Sequence, residues 1–176
     1  IGVSQDYKEA MKWFLLAAKE GNEQAQINLG TMYYRGEGIP QDYQEAVRWY
    51  RLAAKKGDAG AEYNLGWMYD KGEGVQQDYK EAVKWYQLSA EQGHAEAQYY
   101  LGWMYAIAHG VSLDRQEAFN WYGRSAKQGF AKAQLELGHI YGMGHVVDRN
   151  FKEAVKWYRL ASEQGLAEAQ YYLASR

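Results

Sequence analysis

Two histidines, five glutamates and a set of Gly-x-Gly turns are the parts of this sequence whose residue types could do chemistry. Two histidines can share a metal ion only if both imidazole nitrogens come within about 2.1 Å of it. Paired carboxylates can act as general acid and base, and a glycine-rich turn can cradle phosphate. The spacing of these residues decides between chemistry and structure.

That spacing favours structure. The glutamates recur every 36 residues and are explained by helix capping. Turns such as Gly36–Gly38 and Gly72–Gly74 recur in the same way. A phosphate loop belongs to a βα unit, and these turns do not. His109 and His145 lie one repeat apart, so a helix spacing of about 10 Å separates them. We predict no catalytic residue, no cofactor and no metal site, and therefore no enzyme.

The 36-residue period is the main feature of the sequence. Glutamate, tryptophan, glycine and alanine each recur at this spacing, without insertion or deletion. The residues are Glu9, Glu45, Glu81, Glu117 and Glu153; Trp13, Trp49, Trp85, Trp121 and Trp157; Gly21, Gly57, Gly93, Gly129 and Gly165; and Ala25, Ala61, Ala97, Ala133 and Ala169.

Each period encodes two helices. In the outer helix, Asp42 and Glu45 form a predicted capping box, and Gly57 is a predicted left-handed stop. Apolar residues of both helices recur at i, i+3, i+4 and i+7, which indicates one buried face each. The predicted buried residues are Ala46, Trp49, Tyr50, Ala53 and Ala54 in the outer helix, and Ala61, Leu65, Met68 and Tyr69 in the inner helix. Two short helices cannot bury these faces alone, so repeats must stack.

The predicted fold is all-α, a right-handed superhelical solenoid of antiparallel helix pairs. Residues 1–176 form one predicted repeat array, with outer helices starting near residues 6, 42, 78, 114 and 150 and inner helices near 22, 58, 94, 130 and 166. The pattern is cut at Ile1 and at Arg176, without polar capping helices, so we expect a piece of a longer array.

Several motifs resemble the Sel-one-like repeat (SLR), a relative of the tetratricopeptide repeat, over essentially the whole chain. They are Ala97–Gln98, Leu101–Gly102, Met104–Tyr105, the turn 72–75, Trp85–Tyr86 and Gly93. The resemblance implies an adaptor or scaffold that binds other proteins, often in bacterial envelope, signalling or host-contact roles. Some cysteine-rich bacterial members are linked to penicillin binding, but this chain has no cysteine, so that activity is not carried over.

Composition excludes several other classes. A net charge of −2 and a pI near 6.1 give no electrostatic case for nucleic acid or anionic membrane. No apolar run reaches the roughly 18 residues that a membrane span needs. The compartment stays open between bacterial periplasm, secretion and cytoplasm.

Positions that stay constant between repeats are expected to pack, whereas positions that vary are free to bind. By this argument the five repeated tryptophans are core. Trp67 and Trp103 share a variable position with Thr31 and His139, about 200° from the core stripe of their helix. One turn earlier, a second variable position carries Tyr63 and Tyr99, and Asn28 and Asn64 lie beside it.

The predicted function is a protein-interaction module that binds an extended peptide or partner segment in a concave aromatic groove. The predicted protein-binding residues are Tyr63, Trp67, Tyr99, Trp103, Asn28, Asn64 and His139. An aromatic groove suits an apolar or proline-rich segment. In related repeats, lysines bind a terminal carboxylate, but Ile27, Tyr63 and Tyr99 stand in their place, so no strong recognition of a C-terminal carboxylate is expected.

Three alternatives stay open. Trp67 and Trp103 would be additional core if the solenoid were tight. A single-stranded RNA-binding repeat is disfavoured because Lys and Arg lie mainly on the outer helix, away from the aromatics. A purely structural spacer needs no partner. The irregular turns at Ile107–Leu113 and Met143–Arg149 are a second candidate contact patch.

Overall fold

A computed structural model describes residues 2–174, with side chains from Tyr7 onward. This part of the chain forms ten α-helices and no strand, so the predicted all-α class is confirmed. The helices are α1 (Gly2–Lys19), α2 (Glu23–Arg35), α3 (Tyr43–Ala54), α4 (Ala59–Lys71), α5 (Tyr79–Glu91), α6 (Ala95–Ile107), α7 (Arg115–Lys127), α8 (Ala131–Met143), α9 (Phe151–Glu163) and α10 (Ala167–Ala174).

Odd-numbered helices are the outer helices and even-numbered helices the inner ones. Helix α1 begins at Gly2 rather than near residue 6. The predicted breaks in the pattern at Ile1 and Arg176 fall outside the described residues. Across residues 2–174, no helix combines the length and the apolar character needed to cross a membrane.

The outer helices start at side-chain caps, as the sequence predicted. The Asp42 carboxylate accepts hydrogen bonds from the backbone N–H groups of Gln44 and Glu45, and Asp78, Asp114 and Asn150 cap the later outer helices. The capping box is not completed, because the Glu45 carboxylate does not accept a hydrogen bond from the Asp42 backbone N–H, and that part of the prediction is wrong. The Asp42 N–H donates instead to the Tyr33 carbonyl, at 2.9 Å, and the Glu45 carboxylate pairs with Arg48.

A glycine–tyrosine contact locks each inner helix to the outer helix that follows it. A Cβ added at Gly66 would lie 2.6 Å from Cδ1 of Tyr86, closer than real contacts allow, so only glycine admits the ring. Tyr86 itself is fully buried. The same contact joins Gly30 to Tyr50, Gly102 to Tyr122 and Gly138 to Tyr158.

The prediction that all five repeated tryptophans are core is wrong. Trp121 is 6% exposed, but Trp13 is 64% exposed, and Trp49, Trp85 and Trp157 are only half-buried. The physical reason is that the next residue, the tyrosine held by the glycine, occupies the interior. The tryptophan instead covers the edge of the preceding repeat, as Trp49 does against the cluster of Ala18, Ala25 and Leu29.

The chain divides into two compact units, unit 1 (Ile1–Gln92) and unit 2 (Gly93–Arg176). In unit 1 the Ser89 hydroxyl donates to the Ala59 carbonyl at 2.6 Å, and in unit 2 Ser125 donates to Ala95 at 2.7 Å. Side-chain amides repeat the same linkage. Gln92 donates to the Glu62 carboxylate at 2.7 Å, and Gln128 donates to the Gln98 amide oxygen at 2.8 Å. These bonds hold consecutive outer and inner helices of each unit in register.

Candidate functional site

Trp67 is half-buried on α4 of unit 1, and its indole N–H makes a hydrogen bond within the unit. Its indole N–H donates to the Tyr34 hydroxyl at 3.0 Å, and the Lys71 ammonium lies 4.9 Å from the centre of its ring. Lys71 in turn lies 2.7 Å from the carboxylate of buried Asp70. Because the N–H is already used inside the unit, what Trp67 can offer a partner is apolar ring surface.

Tyr34 connects this tryptophan to the turn after α4. Burial raises the pKa of the Tyr34 hydroxyl, and its hydrogen bond with the Glu73 carboxylate raises the pKa further. The Tyr34 ring also packs against Tyr43, with ring centres 5.4 Å apart. Trp67 therefore belongs to a network of aromatic and polar contacts.

The other predicted site residues of unit 1 lie on the same two inner helices. The ring of Tyr63, half-buried on α4, lies 6.0 Å from that of Tyr86. Asn64 follows it on α4 and is half-buried. Asn28 is half-buried on α2, and its side-chain oxygen accepts a hydrogen bond from Gln24 at 3.2 Å.

In unit 2 the predicted residues Tyr99 and Trp103 lie on α6. The Tyr99 ring lies 5.7 Å from that of Tyr122 and 5.3 Å from that of Phe130. Burial raises the pKa of Tyr99 to about 12, with a smaller contribution from the negative charge of Glu136. Half-buried Trp103 packs against a buried cluster that includes Ala118, Tyr122 and Leu137. It also meets His109 edge-on, with ring centres 5.5 Å apart.

His139, the predicted site residue on α8, is surrounded by aromatic rings. Its ring centre lies 4.7 Å from that of Tyr172 and 5.6 Å from that of Tyr158. Its Nδ1 lies 3.7 Å from the Glu136 carboxylate. His139 lines an open cavity of about 540 Å³ that exposed Tyr171 also lines.

A second cavity in unit 2, of about 300 Å³, was missed by the sequence reasoning. His139 lines it as well, together with Ala106, Arg115, Tyr122 and Val146. A signal for it was present, because Arg115 stands where the other repeats carry Tyr7, Tyr43, Tyr79 and Phe151. The irregular turn at Met143–Arg149 contributes Met143, His145 and Val146 to the lining.

The two histidines that were considered as metal ligands have different surroundings. His109 contacts Trp103, and His145 is exposed at the cavity just described. Among the residues that the structure describes, no group of three or more His, Cys, Asp or Glu side chains is arranged to hold a metal ion.

Comparison with known proteins identifies the repeat. A family model described as the Sel1 repeat matches residues 1–22, 23–58, 59–94, 95–130 and 131–166. Each complete match contains one inner helix and the outer helix that follows it, the pair joined by the glycine–tyrosine contact. The comparison with curated protein sequences gave no match.

Solved structures agree with this match. The chain is similar to c5321, a protective antigen of uropathogenic Escherichia coli with an SLR fold, at 42% identity and a TM-score of 0.90. The similarity covers 94% of this chain and 35% of c5321. A Sel1 repeat protein from Oxalobacter formigenes is 38% identical with a TM-score of 0.90, over 96% of this chain and 69% of that protein.

A more distant structure shares the fold. The immunity protein Pa5087 from Pseudomonas aeruginosa is 23% identical with a TM-score of 0.59, over 90% of this chain and 59% of that protein. Sel1 repeat proteins are in general non-enzymatic modules for protein interaction or scaffolding. Five matches along the chain, together with c5321 and the Oxalobacter formigenes protein, confirm the resemblance. The chain therefore belongs to the Sel1 repeat family.

Proposed function

We propose that this chain is a non-enzymatic protein-interaction module whose inner-helix aromatics bind an extended segment of a partner protein. The observation that carries the proposal is the incomplete burial of Trp67, Tyr63, Tyr99 and Trp103 at positions that vary between repeats. Constant positions such as Gly66 and Tyr86 are expected to pack, whereas these aromatics stand at variable positions and keep part of their ring surface exposed.

The chemistry of these side chains suits recognition of an apolar or proline-rich segment. Tryptophan and tyrosine bury a large area while fixing few rotatable bonds, which is why they dominate binding hot spots. Their contacts inside each unit hold the rings in place before binding, which lowers the entropy cost of association. Asn28 and Asn64 add amide groups that can hydrogen-bond a peptide backbone.

The test combines stability with binding. Peptides selected from a random display library against the native chain provide probes, and their affinities are measured for the double variant Trp67→Ala/Trp103→Ala. We expect at least a tenfold loss of affinity, because hot-spot truncations cost about 2 kcal/mol or more. Lys80→Ala, on the exposed outer face, is the matched control and should bind as the native chain does.

Thermal melts of the same proteins separate binding from packing. The double variant should lose much less stability than Tyr86→Ala, which removes a fully buried ring and should cost about 3–5 kcal/mol. A double variant that melts as low as Tyr86→Ala, or that keeps full affinity for the selected peptides, would refute the assignment of these residues. Turnover in a hydrolysis screen that one point substitution abolished would refute the non-enzymatic part.

A further inference from the structure

The 300 Å³ cavity of unit 2 is lined by Arg115 and Val146, two residues that depart from the aromatic residue and the glycine found at these positions in the other repeats. Two periods earlier, in unit 1, the matched positions carry Tyr34 at the end of α2 and Tyr43 at the start of α3, whose ring centres lie 5.4 Å apart. The residues at the same repeat positions in unit 2 are Ala106 and Arg115, and both line the cavity. Two aromatic rings in contact, tilted by 52° to each other, are thus replaced by a methyl group and a guanidinium.

A turn next to the cavity departs from the pattern as well. Gly74 packs directly on the backbone at the start of α3, since a Cβ added there would lie 2.3 Å from the Tyr43 carbonyl oxygen. The matching residue in unit 2 is Val146, whose side chain cannot approach the start of α7 in the same way. The close contact between the turn and the start of the outer helix in unit 1 is therefore unavailable in unit 2, where Val146 lines the cavity.

The presence of an arginine at position 115 does not stabilise its own helix. It is the first residue of α7, where the helix dipole disfavours a positive charge. The side chain is exposed and makes no ion pair or hydrogen bond with any of the described residues. Glu136, the carboxylate that lines the same cavity, lies beside His139 at 3.7 Å. The guanidinium is therefore available to an anionic group that enters from outside.

Part of the cavity lining is apolar and aromatic. Tyr122, buried by its contact with Gly102, lines it together with Ala118 and Ile140. Burial raises the pKa of the Tyr122 hydroxyl and the negative charge of Glu136 raises it further, so the phenol that lines the cavity is uncharged. The size is at the lower end of the roughly 300–1,000 Å³ of ligand pockets, which suits a single large side chain.

We infer that this cavity binds one aromatic side chain of a partner protein, and that an acidic residue next to that side chain pairs with Arg115. The matched positions in unit 1 argue for an aromatic occupant, because they carry two tyrosine rings in contact. The unpaired guanidinium argues for the neighbouring acid, since arginine pairs with carboxylate through two parallel hydrogen bonds. The inference rests on the proposed function and adds a second, chemically defined contact to it.

Blocked peptides test the inference directly, and their termini carry no charge that could compete with the acidic residues. The probe is acetyl-Asp-Glu-Tyr-Asp-Glu-amide, titrated into the native chain and followed by amide chemical shifts in NMR spectra. We expect saturable shifts at Arg115, Tyr122 and residues 136–146. A peptide with leucine for tyrosine, or with Asn and Gln for the acidic residues, should bind at least fivefold more weakly.

Variants taken from the repeat pattern provide the controls. Ala106→Tyr/Arg115→Tyr restores the aromatic pair of unit 1 and should abolish the shifts. If that variant does not fold, Ala106→Leu fills part of the same space and should weaken binding. Arg115→Gln should remove the preference for the acidic peptide over the neutral one, Arg115→Lys should keep part of it, and Lys80→Ala should change nothing.

Several results would overturn the inference. These are equal affinity for the leucine peptide, shifts that lie away from the cavity, or undiminished binding by the variant with the restored aromatic pair. If the tyrosine peptide fails but library-selected peptides still depend on Trp67 and Trp103, the cavity inference alone is refuted. If the tyrosine peptide binds while those selected peptides do not depend on the tryptophans, the cavity stands and the inner-helix assignment fails.

Discussion

Glu62 is a carboxylate at a position where the other repeats carry an amide. Gln26, Gln98 and Gln134 occupy the same place, and all four side chains are 4% exposed. Burial raises the pKa of Glu62, the hydrogen bond from Gln92 opposes that rise, and the negative charge of Asp58 adds to it. The charged form is thus less favourable in the folded chain than in the unfolded chain.

This difference predicts how stability depends on pH. A carboxyl group whose pKa is raised by folding favours the folded state below its unfolded pKa, about 4.3, and this contribution is lost as pH rises through the folded value. Glu62→Gln should therefore raise the free energy of unfolding at neutral pH, by about 1 kcal/mol. Urea unfolding at several pH values measures it, and the gain should shrink toward pH 4.

The opposite exchange provides the control in unit 2. Gln98→Glu creates the same buried carboxylate beside Gln128 and should lower stability at neutral pH. Stability of Glu62→Gln that was unchanged or lower at pH 7 would show that the Gln92 hydrogen bond outweighs the cost of burying the charge.

At the scale of the helix, the last turn of α6 carries an identifiable strain. The inner helices α2, α4 and α8 are each followed by a C-cap glycine in the left-handed region, at φ values of 70–73°. These glycines are Gly36, Gly72 and Gly144. Helix α6 ends on Ala108 at φ 59°, a conformation that costs an L-residue about 1–2 kcal/mol. Ala108 is exposed, so its methyl group returns little packing energy.

Ala108→Gly should therefore stabilise the chain. The relief of strain exceeds the entropy that glycine adds to the unfolded state, about 0.4–1 kcal/mol, which leaves a net gain of roughly 0.5–1 kcal/mol. Differential scanning calorimetry would show it as a higher Tm. Gly72→Ala is the reverse exchange on α4 and should lower the Tm, and a Tm loss in Ala108→Gly would contradict the strain argument.

Much of this element-level structure follows from the sequence, because a period of 36 residues fixes where caps and stops recur. The glycine–tyrosine contact does not, since Gly66 and Tyr86 lie on different helices and periodicity within one helix does not give the register between two. The prediction that Trp49 lies in the core was wrong for the same reason. Constancy showed that the position packs, but not that the tyrosine beside it takes the interior.

Only part of the candidate site could be predicted from the sequence. Variable positions singled out Trp67 and Tyr63, and both side chains are half-buried. The cavity at Arg115 depends on residues from three separate segments, and only the fold brings them together. A comparison of the first residue of every outer helix would have singled out Arg115, but not the space beside it.

At the scale of the whole chain, repeats contribute to stability approximately one by one, through their own contacts and those with their neighbours. Gly66→Ala tests this, because the added Cβ must displace Tyr86 and should cost about 1–3 kcal/mol. Native-state hydrogen exchange should show the largest loss of protection in α4 and α5. Protection in α8 and α9, which keep their own contact between Gly138 and Tyr158, should change less.

Gly123→Ala is the matched control for that substitution. Gly123 is also in a helix interior, but a Cβ added there meets nothing within 4 Å. Alanine should therefore stabilise α7 by roughly 0.5–1 kcal/mol through its higher helix propensity. An equal loss of protection in all helices of Gly66→Ala would instead indicate that the chain unfolds as one cooperative body.

The contact between Gly66 and Tyr86 also bears on how fast the chain folds. The two residues are about 20 positions apart in sequence, and the same separation holds for Gly30 with Tyr50 and Gly138 with Tyr158. Contacts this local close short loops at low entropic cost, and chains built from them have low contact order and fold quickly. Since equivalent contacts occur in both units, a folding nucleus can form at either end of the chain and grow along it.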